Sequence, residues 1–591
     1  GDKDSKGENT INSVGDNVDN PYAVATESVN ETITDNFRAN LYLNYDILES
    51  LSFKTTFGYS TLNENIGTYI PSTLIVTDGG RGGVAEINNR QRTNVLSENY
   101  LTYKKTIGKG DLTVLGGYSY QKTTTSRFSA GTQGLIDDDF SYHNLSAGET
   151  PTIPTSSLVE SEIQSLFGRV NYDYDDKYLL TATVRRDGAS NFAENEKYAI
   201  FPSAAFGWKV SNEDFLKGSE SISNLKLRAS YGLNGQQEGI NGDLYLDRYR
   251  FGNQGSGYIF GGNPILSTIP SERSNLRWED VATIEVGVDF GLFDNKITGS
   301  FNAFQKNSTN LISDAPVADG SNFTNRVLQN IGDLQVNGLE FSINTDVIRS
   351  EEMNWNFNFN ATYLDREIKE LALGQDITVG GINGGTGNFI QLFREGFAPN
   401  SFFVFKQLYD TAGKPIEGAY ADLNGDGIIN TQDRYLKGNP QGDFTFGFQS
   451  NFNYKNFDLA FNLRASVGNY VYNNVNSSSA QYDLLQDNAV LGNIPTSVLD
   501  TDFNSTSDVI ISDYYLENAS FLRMDNITLG YTFDKPVKKF ASNSIRIWAG
   551  MQNVFLLTNY SGLDPELGSG GIDNTSYPRP RTFLVGANIK F

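Results

Sequence analysis

The stretch NWNFNFNATY, residues 354–363, sends Trp355, Phe357, Phe359, Ala361 and Tyr363 to one side and Asn354, Asn356, Asn358, Asn360 and Thr362 to the other. Alternation this long confines a chain to extended backbone, because only a strand points successive side chains to opposite faces. FDLAFNLRASV repeats it: Phe457, Leu459, Phe461, Leu463, Ala465 and Val467 stand against Asp458, Ala460, Asn462, Arg464 and Ser466. The closing RTFLVGANIKF does so again. There Phe583, Val585, Ala587, Ile589 and Phe591 form an apolar row, and Leu584, Gly586, Asn588 and Lys590 a mixed, small or polar one.

Reading the chain this way predicts seventeen strands, near 36–46, 51–62, 94–105, 111–124, 160–173, 176–187, 198–210, 224–234, 276–290, 294–309, 333–346, 352–366, 441–454, 457–473, 520–532, 544–559 and 582–591. Helical spacing is nearly absent. Soluble strands typically run about 5–6 residues, whereas a tilted strand needs about 9–11 to cross a bilayer. The expected connections alternate strictly between short and long: 47–50 then 63–93, 347–351 then 367–440, 455–456 then 474–519. Outer-membrane barrels have that asymmetry, with tight periplasmic turns and long extracellular loops. A secreted repeat or sandwich protein has no reason to gather its long loops at one end, and neither a fixed-period repeat nor a linker divides the chain.

The expected fold is therefore all-β, a transmembrane antiparallel β-barrel. Its mean hydropathy is negative, as for a soluble protein, yet only alternate residues of a membrane strand need face lipid. No run is long and apolar enough for a transmembrane helix. An odd strand number does not close a bacterial single-chain barrel. The expectation is thus about 17 strands of a 22-stranded barrel, the size class of plugged transporters. Residues 1–35 would be an extracellular loop segment and 36–591 the C-terminal part of the barrel, with plug and first strands outside this chain.

Lys plus Arg number 46 against 70 Asp plus Glu, a net charge of −24, which argues against a nucleic-acid partner. With no Cys and one His (His143), Cys–His nucleophiles and His-based zinc sites are excluded and no enzyme activity is expected. His143 reads as a solvated loop residue and Asp137–Asp139 as a solvated face, or one that holds divalent ions bridging anionic lipopolysaccharide. DGGRGG (78–83) reads as a flexible loop. Tyr258 and Phe260, in GSGYIFGG, either form a small loop core or capture ligand by ring stacking.

The sharpest local motif is DLNGDGIINTQD, residues 422–433. It fits a calcium loop, D-x-[DN]-x-[DN]-G, with oxygen ligands at alternate positions. Asp422, Asn424, Asp426, the carbonyl of Ile428, Asn430 and Asp433 are the expected ligands. Gly427 supplies the sharp turn, and the last ligand is Asp rather than the usual Glu. Calcium would be structural, pinning the long loop 367–440, whose ordering is otherwise costly.

Seven stretches carry a family resemblance: DDKYLLTATVRRDGASNF (175–192), FPSAAFGW (201–208), NLRWE (275–279), NIGDLQVNGLEF (330–341), SFLRMDNITLGYTF (520–533), NVFLLTNYSGLDPE (553–566) and YPRPRTFLVGANIKF (577–591). In that order they resemble the SusC-like TonB-dependent outer-membrane transporters. The resemblance implies import of oligosaccharides or peptides beneath a SusD-like lipoprotein lid, powered through TonB by way of an N-terminal part. It also implies that the barrel-assembly machinery reads the terminal strand, which pairs with the first to close the sheet. A TonB-dependent siderophore or vitamin receptor, a passive porin and a soluble adhesin are the rival readings.

Overall fold

The structure, a computed structural model, describes residue 19 and residues 21–590 apart from 75–76, 78, 136, 238–239, 241–247, 251–257, 261–262, 266, 270–275, 317–325, 372–373, 383–387, 488–489, 492–493, 506–510 and 535–543. Seventeen strands make one antiparallel wall: β1 (Val29–Leu48), β2 (Leu51–Ile70), β3 (Val84–Ile107), β4 (Gly110–Leu135), β5 (Thr155–Tyr174), β6 (Tyr178–Ala189), β7 (Tyr198–Lys209), β8 (Ile222–Gln236), β9 (Glu279–Leu292), β10 (Ile297–Thr309), β11 (Asp333–Arg349), β12 (Met353–Glu370), β13 (Phe444–Tyr454), β14 (Phe457–Val467), β15 (Phe521–Asp534), β16 (Ser544–Thr558) and β17 (Thr582–Lys590). Each pairs with its neighbours in chain order, as an up-and-down meander. Among the described residues β1 and β17 are each paired on one side only.

All seventeen expected strands are present, and their ends differ for physical reasons. β2 runs to Ile70 and β4 to Leu135, well past the expected 62 and 124. Their outer ends, such as LNENIGTYI, lie against the long connections, where Tyr69, Ala85 and Leu135 pack in a small core of their own, so the apolar period of a lipid-facing strand lapses while the hydrogen-bond ladder continues. The first strand begins at Val29, not 36, after a short helix at Pro21–Glu27. The strand expected at 457–473 stops at Val467, because Gly468 takes φ +95° and turns the chain inward. Strict alternation of connections also fails once: 190–197 is shorter than 210–221. Elsewhere the tight turns share one rim. One of them places Asp175 and Asp176 at φ +56° and +51°, with Lys177 N–H donating to the Tyr174 carbonyl at 3.0 Å. This paired left-handed geometry matches the twist of a hairpin.

The two lists of each strand become two faces. Leu180, Val184, Ile200 and Phe206 are exposed along one, although large and apolar. Aromatic rings bound this band at the tight-turn rim, where Tyr178 lies 6.4 Å from both Tyr174 and Trp208, and Phe457 lies 4.6 Å from Tyr531. At the long-loop end Tyr363 and Phe444 are 4.8 Å apart. Such girdles sit at the two membrane–water interfaces.

The largest dry core lies not in the wall but among the long loops. Ile382, Ile390, Phe402, Val404, Tyr472, Phe503, Tyr515 and Leu516 pack together from 371–443 and 468–520. A second core joins Ala189, Phe192, Phe201, Ile240, Leu276 and Trp278, with Trp278 5.0 Å from Phe192 and 5.5 Å from Phe201. Three of the resembling stretches thus meet at one place, where they fasten loops to strands.

Candidate functional site

The face opposite the apolar band is lined with paired polar groups. Asn451 Nδ2 donates to Asn356 Oδ1 at 3.1 Å, Asn462 Nδ2 to Asn526 Oδ1 at 3.1 Å, and Asn358 donates to Asn344. Arg228 grips Asp289 with two bonds of 2.8 and 2.9 Å, Arg185 Nε reaches Asp187 at 2.6 Å, and Arg546 Nε reaches Asp458 at 2.8 Å. A wall whose charges are matched and whose amides are bonded across strands suits a hydrated passage.

At the long-loop end of this inner face, the connection 559–581 folds down and is held by a charge cluster. Arg523, on β15 and buried, places Nη2 2.7 Å from Asp564 Oδ1 and Nη1 3.0 Å from Asn553 Oδ1. Its Nε lies 3.0 Å from Glu566 Oε2 as an ion pair, without the alignment of a hydrogen bond. Arg464, on β14, binds Glu566 through both terminal nitrogens and Asp525 through Nε at 2.7 Å. Arg579 closes the ring at 3.0 Å from both Asp564 and Glu566. Beside the cluster is a cavity of about 610 Å³, lined among others by Asn360, Thr445, Ser466, Phe521, Glu566 and Arg579. Sequence reading missed this site. Its only signal was that SFLRMD and GLDPE both belong to resembling stretches, since the paired residues lie some 40 positions apart.

The 422–433 loop has the local form its sequence demands. Asp422 accepts from the N–H of Gly425, at 2.6 Å, and of Gly427, at 2.8 Å, and both glycines take the positive φ that lets the chain wrap inward. Asn424 accepts from Asp426 N–H, Asp426 from Ile428 N–H and Asn430 from Gln432 N–H, at 2.8–3.0 Å. Asp433, buried, accepts from the N–H groups of Asn430 and Leu423 at 2.9 Å and of Asn424 at 3.3 Å. The Asn430 amide first, then those of Asn424 and Leu423, hold the Asp433 carboxyl below the usual carboxylate range. Among the described residues no three acidic, His or Cys side chains form a ready metal cage. Three of the six expected ligands here are neutral oxygens, and the carboxylates are engaged with the loop's own amides.

The terminal strand is placed as its pattern requires. Phe583, Val585, Ala587 and Ile589 share the apolar outward row, and Trp548 on β16 donates to inward Asn588 at 2.8 Å. Phe591 lies outside the described residues. Asp138 is not merely solvated: it accepts from Tyr69 Oη and from Ser72 Oγ at 3.0 Å, clasping the 136–154 connection to β2. The His143 ring lies 4.2 Å from that of Tyr142 in that connection, tilted 42° to it. The backbone of Tyr258–Phe260 pairs with Asn263–Ile265, and the two ring positions fall outside the described side chains.

A family model described as TonB dependent receptor-like, beta-barrel matches residues 2–392. TonB-dependent receptor P3 of Formosa agariphila is 36% identical over 98% of this chain and 60% of its own length. TonB-dependent receptor SusC of Bacteroides thetaiotaomicron is 36% identical over 87% of this chain and 51% of its own. The chain therefore spans about 60% of the length of such curated relatives. The solved RagAB peptide transporter superposes with a TM-score of 0.82 over 97% of this chain and 63% of that one, at 21% identity, a likeness of fold. With this wall, these girdles and these relatives, the chain belongs to the TonB-dependent receptor-like β-barrel family of Gram-negative outer membranes, and is of the SusC-like type.

Proposed function

We propose that the chain is the wall of an active outer-membrane importer. It would take up oligosaccharides or peptides under TonB control, with a SusD-like lipoprotein seated over the long loops. The relationship to SusC along most of the chain carries this reading. The work is conformational, and no bond of the cargo is broken. A siderophore receptor is the lesser alternative: the ferric-catecholate receptor Fiu of E. coli shares the fold at a TM-score of 0.50 and 11% identity. Affinity purification of the full-length transporter from its native membrane tests the proposal. A stoichiometric lipoprotein partner, with an interface well above about 1,000 Å², is expected, together with uptake that stops when TonB is deleted. Uptake independent of TonB would favour a passive pore, and a partner-free transporter carrying iron chelates would favour the alternative.

We further propose that Asp422, Asn424, Asp426, Ile428, Asn430 and Asp433 bind calcium. The donor set supports this: all are oxygens, as hard cations require, at positions 1, 3, 5, 7, 9 and 12 of the loop. The ion would tie a turn in the middle of 371–443 and take no part in cargo chemistry. Calcium-dependent protection of this loop from proteolysis is the test, and equal cleavage with calcium or chelator would end the proposal.

A further inference from the structure

On the outward face of β9–β12 two rows of side chains run across four strands. The lower row is Val286, Ala303, Leu339 and Tyr363; the upper is Ile284, Gln305, Asn337 and Asp365. Between them is an apolar dent of about 380 Å³. Its depth comes from Ala303, whose single methyl stands between Val286 and Leu339. Phe301, on the same face toward the tight-turn rim, continues the exposed apolar band.

The chemistry changes sharply above the dent. Gln305 Nε2 donates to Asn337 Oδ1 at 3.0 Å. One row further out, Gln335 Nε2 donates to Asn307 Oδ1 at 2.9 Å, and Lys369 pairs with Glu367. Both β10 and β12 lead from this end into long connections. The dent therefore opens just beneath the outer boundary of the hydrocarbon, in the outer leaflet, with the Gln305 and Asn337 amides at its neck.

We propose that this dent is a specific binding slot for an acyl chain of the outer-leaflet glycolipid, the lipid A class. What covers the outward band of a membrane wall is lipid, so the slot is continuous with a hydrocarbon interface and its filling is an acyl chain. The neck selects the kind of chain. Gln305 Oε1 is an acceptor at the lining and calls for a donor, while the Asp365 carboxylate next in the row accepts from Asn337 Nδ2 at 3.5 Å. The amide N–H and 3-hydroxyl at the base of lipid A chains are donors, whereas the esters of a phospholipid offer only acceptors. The inference rests on the membrane-wall reading and is independent of the cargo.

Lipid A retained by the full-length transporter after extraction in mild detergent and re-addition of purified lipid A, counted by native mass spectrometry, tests it. Ala303→Phe fills the slot, Gln305→Leu removes the neck acceptor, and Ala549→Phe adds the same bulk to the outward face of β16. Each variant is first checked for heat-modifiable mobility, the mark of a folded barrel. Ala303→Phe is expected to lower lipid A retention about tenfold, the equivalent of two buried methylenes. Gln305→Leu should lower it in part, with phospholipid unchanged, and Ala549→Phe should leave it intact. Unchanged retention in Ala303→Phe, or in Gln305→Leu should the former not fold, overturns the proposal. So does equal loss in Ala549→Phe, or loss of phospholipid instead. Failure of the native protein to partition into membranes would instead strike the wall reading itself.

Discussion

Replacing Arg523 by Met removes the buried charge that fastens the 559–581 connection to the inner wall. The native guanidinium meets Asp564 at 2.7 Å and Glu566 at 3.0 Å, with its side chain 3% exposed. Breaking one side of a buried pair typically costs about 3–5 kcal/mol, because the abandoned carboxylates stay desolvated. Here Asp564 keeps Arg579, and Glu566 keeps Arg464 and Arg579, each already within 3.0 Å. The loss therefore belongs at the low end, about 3 kcal/mol, which raises the open population of the connection on the order of a hundredfold. Cleavage after Glu566 by a Glu-specific protease reads that population directly, since opening precedes cutting. Arg523→Met should be cut far faster than the native protein, while Arg228→Met, remote on β8, should not. Native-like cleavage of Arg523→Met would refute the claim that this cluster is the latch.

Other consequences can be measured in the same protein. Phe503→Ala opens a cavity in the loop core, where Phe503 is fully buried; a loss of about 3–5 kcal/mol should raise hydrogen exchange across 371–443 and 468–520 together but not in the strands. Asp422→Ala should abolish calcium protection of 371–443, as read by terbium luminescence and proteolysis. Because its neighbours' amides depress the Asp433 carboxyl in the folded loop, that carboxyl stabilises the loop above the ordinary carboxyl range. Its contribution should fade as the pH falls from about 4 through the lowered value, and a loop that loosens instead between neutral and mildly basic pH would contradict this. Val585→Arg puts a cation into hydrocarbon and should cost about 2–4 kcal/mol if near the midplane, cutting assembly yield, whereas Asn588→Arg on the wet face should be tolerated.

How much of this was legible in the chain depended on range. Phe357 and Asn358 announce opposite faces by adjacency alone, so every strand of the wall could be found. The Asp422–Asp433 loop was equally readable, since its bonds join residues a few positions apart. Strand ends were less so: Asn63 and Glu64 of β2 stand above the membrane, where hydrogen bonding continues without any apolar rhythm. The turn at Gly468 shows only as a change of phase: the apolar row on Phe457 to Val467 meets Asn469, and the aromatics resume one position out of step at Tyr470 and Tyr472. Asp138 looked solvated because its partners, Tyr69 at the end of β2 and Ser72 just beyond it, lie more than 60 positions away. Arg523 was silent for the same reason, its meaning set by Asp564 and Glu566 across a fold that no local pattern displays.

The chain contains no Cys, so single cysteines introduced along β17 are the only ones within it, and any Cys of the full-length protein outside these residues is first replaced by Ser. Spin labels at residues 583 to 589 of the full-length protein, in bilayers, report contact with lipid-soluble oxygen or a water-soluble nickel chelate. Labels at Phe583, Val585, Ala587 and Ile589 should favour oxygen and those at Leu584, Gly586 and Asn588 the chelate, in strict alternation. Equal exposure of both rows to water, or a period near 3.6, would show that this strand is not part of a membrane wall.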